Sequence, residues 1–168
     1  MIHALGVKSS VNAVPVALAA VRSVRGILLI KRENPPFAGL WGLPGGKVRY
    51  GEHLDEAVRR EVLEESGLNT IFWRLRGVVT ERLYDGNRLS MHYLLMVCEV
   101  FSKSVRFRRS AEGELRWFET RLLSEHWGEI IPSDRLMLEK LVLREPREFY
   151  YRCRVRKRGS DYRVERFD

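Results

Sequence analysis

The hydrophobic and polar positions of the chain alternate over several stretches, which predicts mainly β-strands. The apolar run that begins at Val11 predicts a strand that turns near Gly26 and pairs with a second strand over 27–32. Further strands are expected over 70–84, 89–101 and 113–119. The Asp85-Gly86 pair between two of these runs is a strong tight-turn signal, so we expect a hairpin there.

Two segments have helical spacing instead. Over 54–66, apolar residues recur on one face at about 100° per residue, and Gly67 follows as a candidate C-cap. A second helix is predicted after Pro132, with Ser133 as its N-cap and leucines on one face. Long, mainly antiparallel strands with two helices indicate an α+β sandwich.

The first helix carries an unusual cluster of acidic side chains. Glu61 and Glu65 fall within its apolar stripe, and Glu64 lies at the edge of that stripe. Like charges at such spacings destabilise an isolated helix by roughly 0.2–0.5 kcal/mol per pair. A solvated acidic face is the ordinary interpretation, but carboxylates that point inwards need a cation or hydrogen bonds. Arg60 could neutralise one of them, and a hard divalent cation such as Mg²⁺ would account for the rest.

The composition indicates one globular domain in a reducing setting. The chain has 168 residues, of which 31% are charged and 45% hydrophobic. Cys98 and Cys153 are the two cysteines, which is too few for a disulfide framework or a zinc site. We therefore expect a cytoplasmic protein. No run approaches the 18 or more apolar residues of a membrane span, so no membrane association is expected.

The basic charge is concentrated in the tail. The net charge is +8, and 146–168 forms a basic extension that follows the predicted domain over 1–145. Alternating apolar residues, interrupted near Gly159, predict a hairpin with one buried face rather than a separate domain. A lone hairpin is marginal in water, so this face must pack on its own subunit or on a second one. The pattern of residues leaves both surfaces open. Aromatic residues between the arginines leave nucleic-acid binding as a less favoured alternative.

The stretch "GKVRYGEHLDEAVRREVLEESGL" resembles the signature of the Nudix hydrolases, G-x5-E-x7-R-E-U-x-E-E-x-G-U, where U is aliphatic. All nine specified positions match, namely Gly46, Glu52, Arg60, Glu61, Val62, Glu64, Glu65, Gly67 and Leu68. The resemblance implies an α/β/α sandwich with a mixed, largely antiparallel sheet. It also implies hydrolysis of a pyrophosphate bond in a nucleoside diphosphate linked to another moiety, with Mg²⁺ or Mn²⁺ as cofactor.

The resemblance also assigns roles to the matched residues. Glu61, Glu64 and Glu65 would bind the metal ion, and the backbone carbonyl of Gly46 would add a ligand. Glu52 would support this site, often through water, while Arg60 would hold the glutamates in place. The general base differs between members of the family, so Glu64, Glu65 and the later loop residue Glu112 are all candidates.

The substrate is less well defined by the sequence. The segment around the signature looks most like enzymes that hydrolyse ADP-ribose. Such enzymes are commonly homodimers, so the resemblance implies a homodimer in which the tail helps to join two subunits. MutT-like nucleoside triphosphate pyrophosphohydrolases and diadenosine polyphosphate hydrolases are the alternatives, the latter through Tyr84. Arg32, Phe37 and Trp41 are candidate contacts for phosphates and base, although Trp41 is equally consistent with loop packing. A nucleotide-binding regulator without activity is the alternative from another class, but such domains usually lose signature glutamates.

Overall fold

A computed structural model describes residues 12–108 and 110–168; the predictions that concern 1–11 lie outside this range. The strands are β1 (Val14–Ser23), β2 (Gly26–Arg32), β3 (Trp41–Gly42), β4 (Gly45–Lys47), β5 (Ile71–Asp85), β6 (Arg88–Phe101), β7 (Gly113–Phe118), β8 (Tyr150–Arg158) and β9 (Asp161–Phe167). Helix α1 spans Leu54–Ser66, and α2 (Pro132–Met137) continues into a π-helical turn over Leu138–Val142. A 3₁₀ segment, Leu123–Glu129, precedes α2.

The strands form one mixed sheet. Their order is β3-β2-β1-β6-β5-β8-β9, with β4 paired to β1 and β7 paired to β2. The β1–β6 and β5–β8 pairs are parallel, whereas the other pairs are antiparallel. The predicted hairpins at Gly26 and at Asp85-Gly86 are both present. The α+β class and the largely antiparallel sheet are thereby confirmed.

Helices cover both faces of this sheet. Along β1, Ala17, Ala19 and Val21 join the core beneath α1, while Leu18 and Ala20 join the core beneath α2. Successive strand side chains point to opposite faces, so a strand covered on both sides is apolar at every position. The predicted α/β/α sandwich follows from this arrangement.

Helix α1 forms where its apolar stripe predicts. Ala57, Val58 and Val62 are fully buried against the sheet. At its start, the backbone N–H of His53 donates to Glu56 Oε2 over 2.8 Å. At its end, Gly67 adopts the left-handed conformation with φ 73°, as predicted for a C-cap. This helix therefore has a fixed rotational position, which decides where its carboxylates point.

The start of the second helix differs from the prediction. Pro132 is its first residue and Ile131 its N-cap, so Ser133 lies within the first turn, where it is buried. Proline suits the first helical position because its φ is already helical and its missing N–H would have had no partner there. The prediction that Ser133 is the N-cap was therefore wrong by two residues.

The C-terminal tail forms a hairpin that extends the sheet of its own subunit. Strand β8 lies parallel to β5, and β9 forms the outer edge. Tyr151, Cys153 and Val155 of β8 are buried in the core beneath α2. Of the two surfaces considered, the sheet and α2 of the same chain cover this apolar face. A role of the tail in joining two subunits stays a prediction.

The two cysteines and the apolar length of the helices were also considered in the sequence. Cys98 and Cys153 are both free and buried. No helix within 12–108 and 110–168 is long and apolar enough to cross a membrane.

Candidate active site

Arg60 connects three acidic side chains on one side of α1. Its Nε donates to Glu52 Oε1 over 2.6 Å and its Nη2 to Glu52 Oε2 over 3.0 Å. Its Nη1 donates to Glu61 Oε1 over 2.6 Å and to Glu64 Oε2 over 3.2 Å. The hydrogen bonds from Arg60 lower the pKa of Glu52 to about 2, so Glu52 is charged at neutral pH. Arg60 thus holds three carboxylates in a fixed arrangement.

Glu65 lies deeper than the other carboxylates. The residue is only 5% exposed, and Gly45 N–H donates to its Oε2 over 3.1 Å. Burial, followed by repulsion from Glu112 and Glu61, raises the pKa of Glu65 to about 9. Glu65 is therefore close enough to Glu112 and to Glu61 for its charged form to be disfavoured by both.

Strand β4 approaches α1 closely because it has no side chain at Gly46. A Cβ there would lie 2.5 Å from the carboxyl carbon and Oε2 of Glu61. Any larger residue would displace that carboxylate. The Gly46 backbone therefore lies directly against Glu61. Such proximity is needed if the Gly46 carbonyl and the Glu61 carboxylate are to bind the same metal ion.

The donor chemistry of this region fits a hard divalent cation. Carboxylate and carbonyl oxygens are the ligands that Mg²⁺ and Mn²⁺ prefer. The described residues nevertheless contain no three acidic, histidine or cysteine side chains already converged for metal binding. Glu64 is 47% exposed at the side chain and accepts from Arg49 Nη2 at 3.2 Å, while Glu61 is paired with Arg60. Binding a metal would require these glutamates to exchange arginine contacts for the cation.

A cavity of about 250 Å³ opens beside this acidic cluster. Its lining includes Gly46 together with the predicted residues Arg32, Phe37 and Glu112. Arg32 Nε donates to Pro36 O over 2.9 Å, which fixes the guanidinium against the loop that carries Phe37. The structure therefore brings a cationic and an aromatic side chain next to the acidic cluster.

The same cavity contains two carboxyl groups that the sequence reasoning missed. Glu81 is 2% exposed and Asp134 is 7% exposed. Burial raises the pKa of both groups, that of Asp134 to about 7, although Leu43 N–H donates to Asp134 Oδ2 over 2.7 Å. One signal was available, because Glu81 lies between Val79 and Leu83 on the buried face of β5. A carboxyl held neutral can donate as well as accept a hydrogen bond.

Two predicted substrate contacts lie elsewhere. Trp41 is buried in the core, with its ring edge-on to Phe118 at 5.1 Å, so the packing alternative describes it. Tyr84 lies beyond a register shift near the β5–β6 turn, with its ring 4.4 Å from the Arg154 guanidinium. Neither residue lines the cavity, so the prediction that they contact substrate there is not supported by their positions.

Comparison with known proteins decides the family. The NUDIX domain model matches residues 12–149, most of the chain. The chain belongs to the Nudix family. A MutT protein from Bacillus halodurans shares the Nudix fold, with a TM-score of 0.69, 21% identity and coverage of 90% of this chain and 97% of that one.

Two relatives in sequence carry more specific names. An ADP-ribose pyrophosphatase from Methanocaldococcus jannaschii is 47% identical over 73 residues, which cover 42% of this chain and 43% of that protein. A nucleoside triphosphatase, NudI, from Salmonella schwarzengrund is 40% identical over 70 residues, 37% of this chain and 50% of that protein. The chain thus spans half or less of the length of these two relatives.

Proposed function

We propose that this Nudix protein is a metal-dependent pyrophosphohydrolase, which cleaves the pyrophosphate bond of a nucleoside diphosphate linked to another moiety. The observation that carries this proposal is the position of the acidic cluster on α1. Glu61 and Glu65 point inwards, against the glycine backbone of β4 and beside the cavity that contains Arg32. A binding domain without activity would not need this arrangement, and all nine signature positions match.

The metal ligands we propose are Glu61, Glu64 and Glu65, with the Gly46 carbonyl. Mg²⁺, or Mn²⁺ in its place, would neutralise charge on the phosphate oxygens and activate water when bound there. Of the signature residues only Gly46 lines the cavity, and the carboxylates lie beside it. Glu52 fixes Arg60 by two hydrogen bonds. Arg60 in turn orients Glu61 and Glu64, so both residues act by positioning the ligands.

The remaining cavity residues would bind the substrate and accept a proton. Arg32 presents the cation that a phosphate needs, and Phe37 offers a ring against which a base or ribose can pack. Water that attacks phosphorus in line must lose its proton to a nearby base. Glu64, Glu65 and Glu112 are the candidates, and Glu112, just before β7, lines the cavity.

An ADP-ribose-like substrate is favoured, with support from the relative named ADP-ribose pyrophosphatase. Hydrolysis of a nucleoside triphosphate is the second candidate, supported by the NudI relative. The buried carboxyls of Glu81 and Asp134 also favour a ligand with hydrogen-bonding groups deep in the cavity, such as a base. A diadenosine polyphosphate substrate loses its support, because Tyr84 lies away from the cavity.

Nucleic-acid binding by the tail is less well supported by the structure. Arg154 and Arg156 both pair with Glu165, and Arg152 pairs with Asp168. These three arginines share two carboxylates, so part of their charge is compensated within the hairpin, whereas phosphate binding requires free basic groups. A cytoplasmic location is consistent with the two free cysteines. A homodimer remains a proposal, for which the outer edge of β9 offers unpaired backbone groups.

A substrate panel with product analysis tests the proposed function. The purified chain is incubated with ADP-ribose, nucleoside triphosphates and diadenosine polyphosphates in the presence of Mg²⁺, and the products are separated by chromatography. AMP with ribose 5-phosphate is the expected result. A nucleoside monophosphate with pyrophosphate would favour the second candidate. The absence of hydrolysis across the panel, with either Mg²⁺ or Mn²⁺, would contradict the proposal.

A further inference from the structure

The C-terminal hairpin contacts the candidate active site at two points. Through its pairing with β5, β8 places Cys153 beside Glu81, with 3.8 Å between the Cys153 sulfur and Glu81 Oε2. Through β9, the hairpin places the ring of Tyr162 4.4 Å from the ring of Phe37. Both Glu81 and Phe37 line the cavity. The hairpin is therefore the layer directly behind two walls of that cavity.

Phe37 needs support from outside its own loop. The loop over 33–40 is closed at its base by hydrogen bonds between Arg32 N–H and Leu40 O at 3.0 Å and between Gly39 N–H and Arg32 O at 2.8 Å. At its tip, Phe37 has φ 68°, a conformation that is unfavourable for a bulky side chain. The residue is nevertheless only 6% exposed. A residue in such a conformation keeps one position only where its surroundings hold it.

Tyr162 is well placed to provide that support. It is half-buried at the start of β9, just after the turn of the hairpin, and its ring meets that of Phe37 at an interplanar angle of 47°. Tilted aromatic pairs at this separation attract each other beyond the area that they bury. The backbone of Tyr162 is itself fixed by the pairing of Tyr162 with Lys157.

We propose that Tyr162 is a positioning residue, which holds Phe37 in the cavity wall and so determines how tightly the pocket binds its substrate. Because Tyr162 touches neither the acidic cluster nor the proposed metal ligands, it acts on substrate binding and not on the hydrolytic step. The tail is then part of the substrate pocket of this chain. This role in binding rests on the proposed function, whereas the restraint on Phe37 can be measured without it.

The test compares two aromatic residues of the same strand. Phe167, at the other end of β9, packs on Tyr151 with 5.1 Å between the ring centroids and does not line the cavity. Tyr162→Ala and Phe167→Ala therefore each remove one aromatic contact, but only the first removes the contact with Phe37. With ADP-ribose and Mg²⁺, we expect Tyr162→Ala to raise KM about threefold to tenfold at little changed kcat, since this is the range that an aromatic pair supports. Tyr162→Phe keeps the ring and should restore KM.

Hydrogen exchange provides the readout that does not depend on activity. Backbone amides of 33–40 should exchange faster in Tyr162→Ala than in the wild type, while Phe167→Ala should leave their exchange unchanged. Unchanged exchange of these amides in Tyr162→Ala would overturn the inference, and so would an equal rise of KM in both alanine variants. If the wild type hydrolyses no substrate although exchange in this loop rises, the proposed function fails and the restraint on Phe37 stands.

Discussion

Arg60, on the helix that carries the proposed metal ligands, forms a two-point ion pair with Glu52, just before that helix begins. Two of the three guanidinium nitrogens, Nε and Nη2, donate to Glu52 over 2.6 and 3.0 Å, and the pair is largely shielded from solvent. Such bidentate pairs fix orientation as well as charge. Since the same guanidinium also reaches Glu61 and Glu64, one pair of residues determines where two proposed ligands lie before a cation binds.

Replacing Arg60 should therefore destabilise the protein. In Arg60→Ala, Glu52 and Glu61 lose a charged partner in a partly buried position, so we expect unfolding to become easier by on the order of 1–3 kcal/mol. Arg59, on the exposed face of the same helix, donates only to Thr70 O at 3.1 Å. Arg59→Ala should cost less than about 1 kcal/mol. Denaturant unfolding at neutral pH measures the free energy of unfolding of both variants. Equal losses of stability in Arg60→Ala and Arg59→Ala would contradict the role of Arg60.

The pH dependence of this loss follows from Glu52. Its pKa is lowered from 4.5 to about 2, so the stabilisation by Arg60 is complete above pH 4.5 and disappears as pH falls towards 2. The difference in stability between the wild type and Arg60→Ala should shrink over that interval. If the difference in stability between the wild type and Arg60→Ala stays constant down to pH 2, the ion pair between Arg60 and Glu52 is not its cause.

Gly46 offers a test of the close approach between β4 and α1. The Cβ of Gly46→Ala would meet the Glu61 carboxyl at 2.5 Å, so Glu61 must move. We expect activity to fall about 10- to 100-fold, as for other residues that orient metal ligands. Gly128→Ala is the control, because a Cβ there meets no atom within 4 Å. Activity close to that of the wild type in Gly46→Ala would mean that Glu61 is not needed in its present position.

Asp134 should make stability depend on pH in the opposite sense to Glu52. Its pKa is raised from 3.8 to about 7 by burial, so the folded state holds a proton that the unfolded state releases earlier. Stability should fall as pH rises through this interval, in total by on the order of 2–4 kcal/mol at about 1.4 kcal/mol per unit of pKa.

Thermal unfolding between pH 4 and pH 8 measures this dependence. In Asp134→Asn the melting temperature should fall less between pH 4 and pH 8 than it does in the wild type. Asp161→Asn, at the exposed hairpin turn, should show the same fall as the wild type. If the melting temperature falls equally in Asp134→Asn and in the wild type, the pH dependence comes from groups other than Asp134, such as the neighbouring buried Glu81.

The packing of the tail on its own subunit also has a measurable consequence. Val155 is fully buried in the core, whereas Val164 of β9 is half-buried. Val155→Ala should lower the free energy of unfolding by roughly 1.5–3 kcal/mol, and Val164→Ala should lower it clearly less. Light scattering should show the same oligomeric state for both variants as for the wild type. A shift to smaller species in Val155→Ala, without loss of stability, would restore the idea that this face joins two subunits.

The parts of the structure that could be predicted are those set by local spacing. The phase of α1, its C-cap at Gly67 and the hairpin at Asp85-Gly86 each depend on a few neighbouring residues. The cavity could not be predicted, because it combines Glu81 of β5 with Asp134 of α2, whose proximity depends on the complete sheet. The alternation in β8 likewise predicts a buried face but not which surface covers it. Tyr84 illustrates the same limit, since a register shift precedes it.

Glu64 provides the most direct test of metal-dependent hydrolysis at the acidic cluster. The measurement is kcat with ADP-ribose over a Mg²⁺ titration, for the wild type, Glu64→Gln and Glu56→Gln. Glu56→Gln is the control, because it makes the same change at an exposed position of α1. Glutamine can still accept the hydrogen bond from His53 N–H that caps the helix. The account predicts no turnover in excess EDTA, a loss of about 10²-fold or more in Glu64→Gln, and near-normal turnover in Glu56→Gln. Full turnover in EDTA, or an undiminished kcat in Glu64→Gln, would contradict it.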